Sequence, residues 1–291
     1  MSTVVAENRS PVFVPLTLAA LILILSGAFV LIGVATTPAD ARDTLSPAAQ
    51  ALQWLCSTSL LVGFVLALSA RLVEKNGVPR RAWLTVLAAL VLIFGLGLAW
   101  SLGQNQALTA LAASRTRQEL LMWVSLLGAA KVVLIGAIAL PLAWRLGGRA
   151  PAPAVWKPWQ RRVLGALIAA SLCAGIALLV QNVAASFTAL GDGDQRVGMS
   201  VVALGVGTVH GLFALMFAAR RGSGAVPASL SSLLTPALIV LASLPAVRGG
   251  EGWDMAGRIA VVLLILLFAP MVSWLLVRWL HGRIGREAAA R

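Results

Sequence analysis

Eight apolar runs divide the chain, at 12–35, 48–70, 82–103, 120–144, 163–186, 197–219, 228–247 and 256–279. Each is bounded by charged, glycine-rich or proline-containing sequence. A helix of about 20 residues crosses a hydrocarbon layer about 30 Å thick, and every run reaches that length. None shows the two-residue alternation of a barrel strand, and a backbone in lipid has to satisfy its own hydrogen bonds, so the runs predict helices. The expected fold is an all-α polytopic membrane bundle of about eight transmembrane helices. The apolar stretch that follows Met1 to Pro11 is too long for a signal-peptide core and is read as the first span.

Composition agrees with lipid as the main solvent. Hydrophobic residues make up 59% and charged residues 11%, where a soluble domain has about 45–50% and about 25%. Mean hydropathy is +0.92. Eight spans with short connections use nearly all of the 291 residues, which leaves no room for a soluble domain.

The net charge of +13 would suggest nucleic acid in a soluble protein. Its distribution suggests topology instead. Arg9, Arg71, Lys75, Arg80, Arg81, Arg145, Arg149, Lys157, Arg161, Arg162, Arg220, Arg221, Arg278, Arg283, Arg286 and Arg291 fall on one side of the alternating spans. Only Arg42, Arg115, Arg117, Arg196, Arg248 and Arg258 fall on the other. Short cytoplasmic loops collect Lys and Arg, so the sixteen-to-six bias puts the first side and both termini in the cytoplasm. The expected location is a bacterial-type plasma or inner membrane, with anionic headgroups at the cytoplasmic face as partners and no nucleic acid. All ten tryptophans fall at span ends or in loops, as an interfacial belt requires.

The segment from Gly147 to Trp159 holds Pro151, Pro153 and Pro158 and is expected to be extended. It divides the chain into helices one to four (1–146), a cytoplasmic linker (147–160) and helices five to eight (161–291). Val78-Pro79 follows the second span as Val226-Pro227 follows the sixth, and Val132-Val133-Leu134 precedes Pro141 as Val261-Val262-Leu263 precedes Pro270. A parallel four-plus-four duplication explains these matches. Coincidence in a Val- and Leu-rich sequence explains them equally well.

Ionisable groups inside a bilayer are costly, and two stand out: Lys131 in the fourth span and His210 in the sixth. No Asp or Glu occupies the middle of a span. Two basic groups without an internal acid suit an anion, a lipid phosphate or a carboxylate brought by a partner. The structural alternatives are a snorkelling lysine stem and a histidine bonded to a neighbouring helix. Gly207 and Gly211 bracket His210 at GxxxG spacing, which suits a close helix seam, and Thr208 lies between them. At the outer span ends, Gln53, Gln104, Asn105, Gln106, Gln181 and Asn182 could line a vestibule or satisfy helix termini. Residues 104–118 also carry the spacing of a short interfacial helix.

Metal, haem and catalytic readings find little support. His281 is the one other histidine and lies outside the spans, so no bis-histidine haem forms in the bilayer. Cys56 and Cys173 lie within apolar runs as small core residues. There is no HExxH, Walker loop, GxSxG or CxxC. No cofactor or metal is expected, and Asp192 and Asp194 read as a Gly-Asp turn.

Gly207-Thr208-Val209 with Gly211, Leu233-Leu234-Thr235 and Pro245-Ala246-Val247 resemble the threonine-bearing pore helices of proton-channel subunits that power flagellar stators and outer-membrane energy transduction. The likeness covers about 40 residues. It implies a proton path past Thr208 and Thr235, and it needs the loop with Arg220 and Arg221 to face outward. The leading expectation is a non-enzymatic permease or channel-like protein for a small solute or anion, with Lys131, His210, Gln181, Asn182 and Thr208 as candidate binding residues. The alternatives are a non-catalytic subunit that scaffolds a larger membrane complex, and the proton-channel subunit.

Overall fold

The computed structural model describes residues 10–36, 47–112, 117–148, 154–187, 207–208 and 212. Among them the chain is all-α, with α1 (Phe13–Thr36), α2 (Pro47–Asn76), α3 (Ala82–Ala112), α4 (Arg117–Leu146) and α5 (Pro158–Phe187). Four of these, α1, α3, α4 and α5, are long and apolar enough to cross a membrane. The protein is therefore a multi-pass membrane protein in contact with lipid. Apart from residues 207, 208 and 212 the last three expected spans lie outside the described residues, as do His210 and most of the second half of the suggested duplication.

Helix boundaries follow local chemistry. Gly77 ends α2 with φ of 72°, and Gly148 follows α4 with φ of 84°. Both take the left-handed conformation that a glycine just past a helix adopts without a Cβ penalty. The Gly77 N–H donates to the Val73 carbonyl at 2.8 Å, which closes the last turn. Pro158 begins α5, five residues before the apolar run and inside the segment assigned to the linker. A proline suits the first helical position, because its missing N–H would have no intrahelical acceptor there.

Helix α2 is the centre of the bundle and packs on α1, α4 and α5. Val62 through Ala67 are buried without a break, so this stretch has no lipid-facing side. Its register with α5 is antiparallel: Leu60 faces Gly175 and Gly63 faces Leu172. At Gly175 the approach reaches the backbone, where an added Cβ would lie 2.6 Å from the Leu60 N, Cα and Cβ atoms. With α4 the register is parallel, since Gly136 meets Leu68 and Gly147 meets Pro79.

Helix α3 shows how a lipid-facing helix is sorted. Its buried face carries Ala82, Thr85, Val86, Ala89, Leu90 and Ile93. Trp83, Leu87, Val91, Leu98 and Leu102 are exposed. With lipid as solvent, large apolar side chains gain nothing by facing inward, and small residues at the seam let backbones approach. Hydroxyls in these helices bond their own carbonyls one turn back, as Ser26 does to Ile22, Ser59 to Leu55 and Ser69 to Val65, each at 2.6 Å. That removes the cost of an unpaired hydroxyl in hydrocarbon.

One end of the bundle holds the start of α1, the α2–α3 turn, the end of α4 and the start of α5. The Ser10 hydroxyl accepts a 2.5 Å bond from Gln160 Nε2, which ties the entry of α1 to that of α5. The Arg81 N–H donates to the Gly147 carbonyl at 3.3 Å, which ties the α2–α3 turn to α4. This end gathers Arg71, Lys75, Arg80, Arg81, Arg145, Lys157, Arg161 and Arg162, while Arg117 begins α4 at the opposite end. The alternating charge of the sequence is thus a real partition of the described helices.

Two differences from the sequence reading have physical causes. Trp83 and Trp159 are exposed as belt residues should be, but Trp144 and Trp156 are 5% and 6% exposed and belong to the core. Position along a span gives depth but not helix face. In addition, residues 104–112 continue α3 without a break, so no separate interfacial helix forms there. At 31 residues α3 is about 46 Å long, against about 30 Å of hydrocarbon.

Candidate functional site

Lys131 lies on α4 within the apolar stretch Leu127–Leu146. Fifteen residues separate it from the helix end at Leu146, about 22 Å along the axis, so its Cα is well inside the hydrocarbon. Its ammonium donates to Ser101 Oγ on α3 at 2.7 Å. Ser101 is 19 residues from Ala82, about 28 Å along α3, close to the hydrocarbon boundary remote from the basic end. The lysine stem therefore points away from the basic end and delivers the charge near that boundary, half snorkelling and half held.

The seam is built to admit the stem. Gly97 lies where a Cβ would stand 3.7 Å from Lys131 Cε, so a larger side chain there would press on the lysine. Gly128, one turn from Lys131, has open space at its Cβ position. Ser101 in turn donates its hydroxyl proton to the Gly97 carbonyl at 3.0 Å. Its oxygen lone pairs are left to receive the ammonium. Beside Ser101 on α3, Trp100 Nε1 donates to Gln104 Oε1, one turn further along the helix, at 3.1 Å. That amide is committed to an indole, and Asn105 and Gln106 are exposed beyond it.

The chemistry this arrangement permits is narrow. An ammonium has three protons, and among the described residues its one polar partner is the neutral Ser101 hydroxyl. The one described ion pair joins Arg71 and Glu74 at 3.2 Å, at the basic end of the bundle. The charge of Lys131 is therefore hydrogen-bonded but not neutralised by a described side chain. A serine nucleophile would need its proton directed at a neutral amine, and here that proton is on the Gly97 carbonyl. Both residues also lie mid-helix, where backbone N–H groups are used by the helix and cannot form an oxyanion hole. The geometry suits holding a negative charge more than activating a hydroxyl.

The remaining sequence candidates occupy other places. Gln181 is exposed near the C-terminal end of α5, and Asn182 follows it in the helix. Thr208 is exposed, with its hydroxyl 3.9 Å from Cys173 Sγ on α5. The neighbouring Gly207 is buried against α5, where a Cβ would collide with the Cys173 carbonyl and meet Ala177 at 2.9 Å. Gly207 is therefore a packing glycine, while Gly211, the second glycine of the GxxxG spacing, lies outside the described residues. Lys131 belongs to the α3–α4 seam and Thr208 to the surface of α5. The described contacts do not join them. His210 lies outside the described residues.

Ser101 escaped the sequence reading. The signal was the short connection between Ala112 and Arg117. Counting back eleven residues from Ala112 reaches Ser101, and counting forward eleven from Arg117 reaches residue 128, one turn from Lys131. Among the described residues no group of three or more His, Cys, Asp or Glu side chains could hold a metal ion. No family model, curated protein or solved structure matches the chain.

Proposed function

We propose that this protein is a permease or channel-like protein for a small monovalent anion, with Lys131 as the residue that receives the charge and Ser101 as the residue that positions it. One observation carries the reading: an ammonium drawn from the apolar stretch of α4 meets a hydroxyl at 2.7 Å and no described carboxylate. A charge in that setting is costly unless something of opposite sign shares it for part of a cycle. A single cation balances a single negative charge, so a monovalent anion fits better than a dianion. In this reading the basic end of the bundle faces the cytoplasm, which puts Lys131 in the outer half of the membrane.

The test is flux from proteoliposomes that hold the full-length protein, with chloride, nitrate and acetate as anionic probes, sulfate as the dianion and glycerol as a neutral solute. Monovalent anions are expected to cross in the wild type, with Lys131→Gln reducing the rate by about 10-fold or more, the effect of removing one hydrogen-bonded charge of about 1.5–3 kcal/mol. Equal rates in wild type and variant would reject the site. Absence of flux for every probe would reject the transport reading.

A second reading, a non-catalytic subunit of a larger membrane complex, has one observation in its favour. Gly95, Ala99 and Gly103 recur every fourth residue on α3 and are all exposed, with open space at both glycines. Such a strip permits close approach of another membrane helix. Replacing Ala99 with Leu separates the readings: it would release a co-purifying membrane partner if the strip is an interface, and would leave anion flux unaltered if it faces lipid.

A further inference from the structure

At the basic end, the bond from the Arg81 N–H to the Gly147 carbonyl does more than tie a turn to a helix. It brings Arg80 and Arg81, at the start of α3, to the same corner as Arg145, in the last turn of α4. Gly147 fits against Pro79 and Thr85 so closely that a Cβ would collide with the Thr85 hydroxyl, so the corner is a fixed junction. All three arginines are exposed. Among the described residues none of their guanidinium groups has an ion pair or hydrogen bond, and Glu74 is already paired with Arg71. Like charges are thus held together without compensation.

Apolar side chains border these cations on both helices. On α3, Trp83 is 64% exposed three residues from Arg80, followed one turn on by exposed Leu87. On α4, Leu146 adjoins Arg145 and Leu142 lies one turn deeper, both exposed. A water-soluble anion has no use for such neighbours. An amphiphile does: its phosphate meets a cluster of guanidinium forks, and its acyl chains meet the leucines and the indole. Arginine suits this better than lysine, because its planar fork matches two phosphate oxygens at once.

We propose that the α2–α3 turn and the end of α4 form a binding site for an anionic phospholipid, with Arg80, Arg81 and Arg145 on the headgroup phosphate and Trp83, Leu142 and Leu146 along the upper acyl chain. The site is independent of Lys131 and of the transport reading; it rests only on this end of the bundle meeting a lipid leaflet. Bound lipid would offset part of the charge at the corner and lock the junction between α3 and α4, the pair that holds Lys131.

The test is lipid retention by the full-length protein in mild detergent, after incubation with mixed micelles of equimolar phosphatidylglycerol and phosphatidylcholine, read by native mass spectrometry. Phosphatidylglycerol is expected to remain bound preferentially. The triple variant Arg80→Gln, Arg81→Gln, Arg145→Gln is expected to lose that preference by roughly a hundredfold at most, as each cation near an anionic surface contributes about fivefold. The control Arg161→Gln with Arg162→Gln removes two exposed charges at the start of α5 and should lower the preference far less than the triple variant does. Glycerol phosphate and inorganic phosphate should not displace the lipid. Equal preference in wild type and triple variant, an equal loss in the α5 control, or displacement by inorganic phosphate would each overturn the proposal.

Discussion

Replacing Gly175 with alanine tests the α2–α5 register that organises the bundle, because two effects of known sign compete there. In an isolated helix the change is favourable: alanine is better than glycine by about 0.5–1 kcal/mol. In this structure the added Cβ would stand 2.6 Å from the Leu60 N, Cα and Cβ atoms. An unstrained carbon contact is about 3.5–4.0 Å, so the two backbones would have to separate by about 1 Å. No side-chain rotation relieves the clash, because two of the obstructing atoms belong to the backbone of α2 and the third is the Cβ fixed to it. Overpacking of this kind costs about 1–3 kcal/mol, occasionally more, and exceeds the propensity gain. The assay is the apparent melting temperature in detergent, followed by tryptophan fluorescence, with Gly128→Ala as the control because its Cβ position is open. At about 2–4 °C per kcal/mol for a chain of this general size, Gly175→Ala should melt several degrees below wild type and Gly128→Ala at or slightly above it. If Gly175→Ala were as stable as Gly128→Ala, the proposed contact between Leu60 and Gly175 would be wrong.

Other expectations follow from single contacts. Gln160 is 2% exposed, accepts the Lys157 N–H at 2.9 Å and donates to Ser10, so Gln160→Leu should destabilise by about 1–3 kcal/mol; thermal unfolding in detergent checks it, and an unchanged midpoint would count against the tether. Ser101→Ala removes the acceptor of Lys131 but keeps the charge, so anion flux should fall less than with Lys131→Gln; a larger fall would place the chemistry on the hydroxyl. Gly207→Val should disturb packing against Cys173 and Ala177, seen as faster labelling of Cys173 by a membrane-permeant thiol reagent. Labelling at the wild-type rate would remove Gly207 from the α5 seam.

Much of the fold was legible because lipid imposes a simple rule on sequence. A span needs about 20 apolar residues, and the first five runs became helices α1 to α5, of which α1, α3, α4 and α5 are long and apolar enough to cross a membrane. Ends were less legible. Helix α2 continues through Arg71, Glu74 and Lys75, because charged residues are compatible with a helix outside hydrocarbon, and hydropathy does not mark the helix end. Interior faces were legible only at glycines. In water, burial follows hydrophobicity, but here exposed Leu87 and buried Ala89 are both suited to their places, so Trp144 and Trp156 could not be assigned to the core from type alone. The site was half legible. Lys131 is conspicuous as a cation in an apolar run, whereas Ser101 is one of several hydroxyls that bond back to their own helix, distinguished only by the register of its neighbour.

The central claim is that the charge on Lys131 selects what crosses the membrane, and reversing that charge tests it most directly. In proteoliposomes under a potassium chloride gradient, a voltage-sensitive dye reports whether anions or cations move more easily. With the wild-type protein the dilute side should become negative as chloride leads. With Lys131→Glu the potential should collapse or change sign, since a carboxylate at the α3–α4 seam repels anions. A potential of the same sign and size in both proteins would contradict the account.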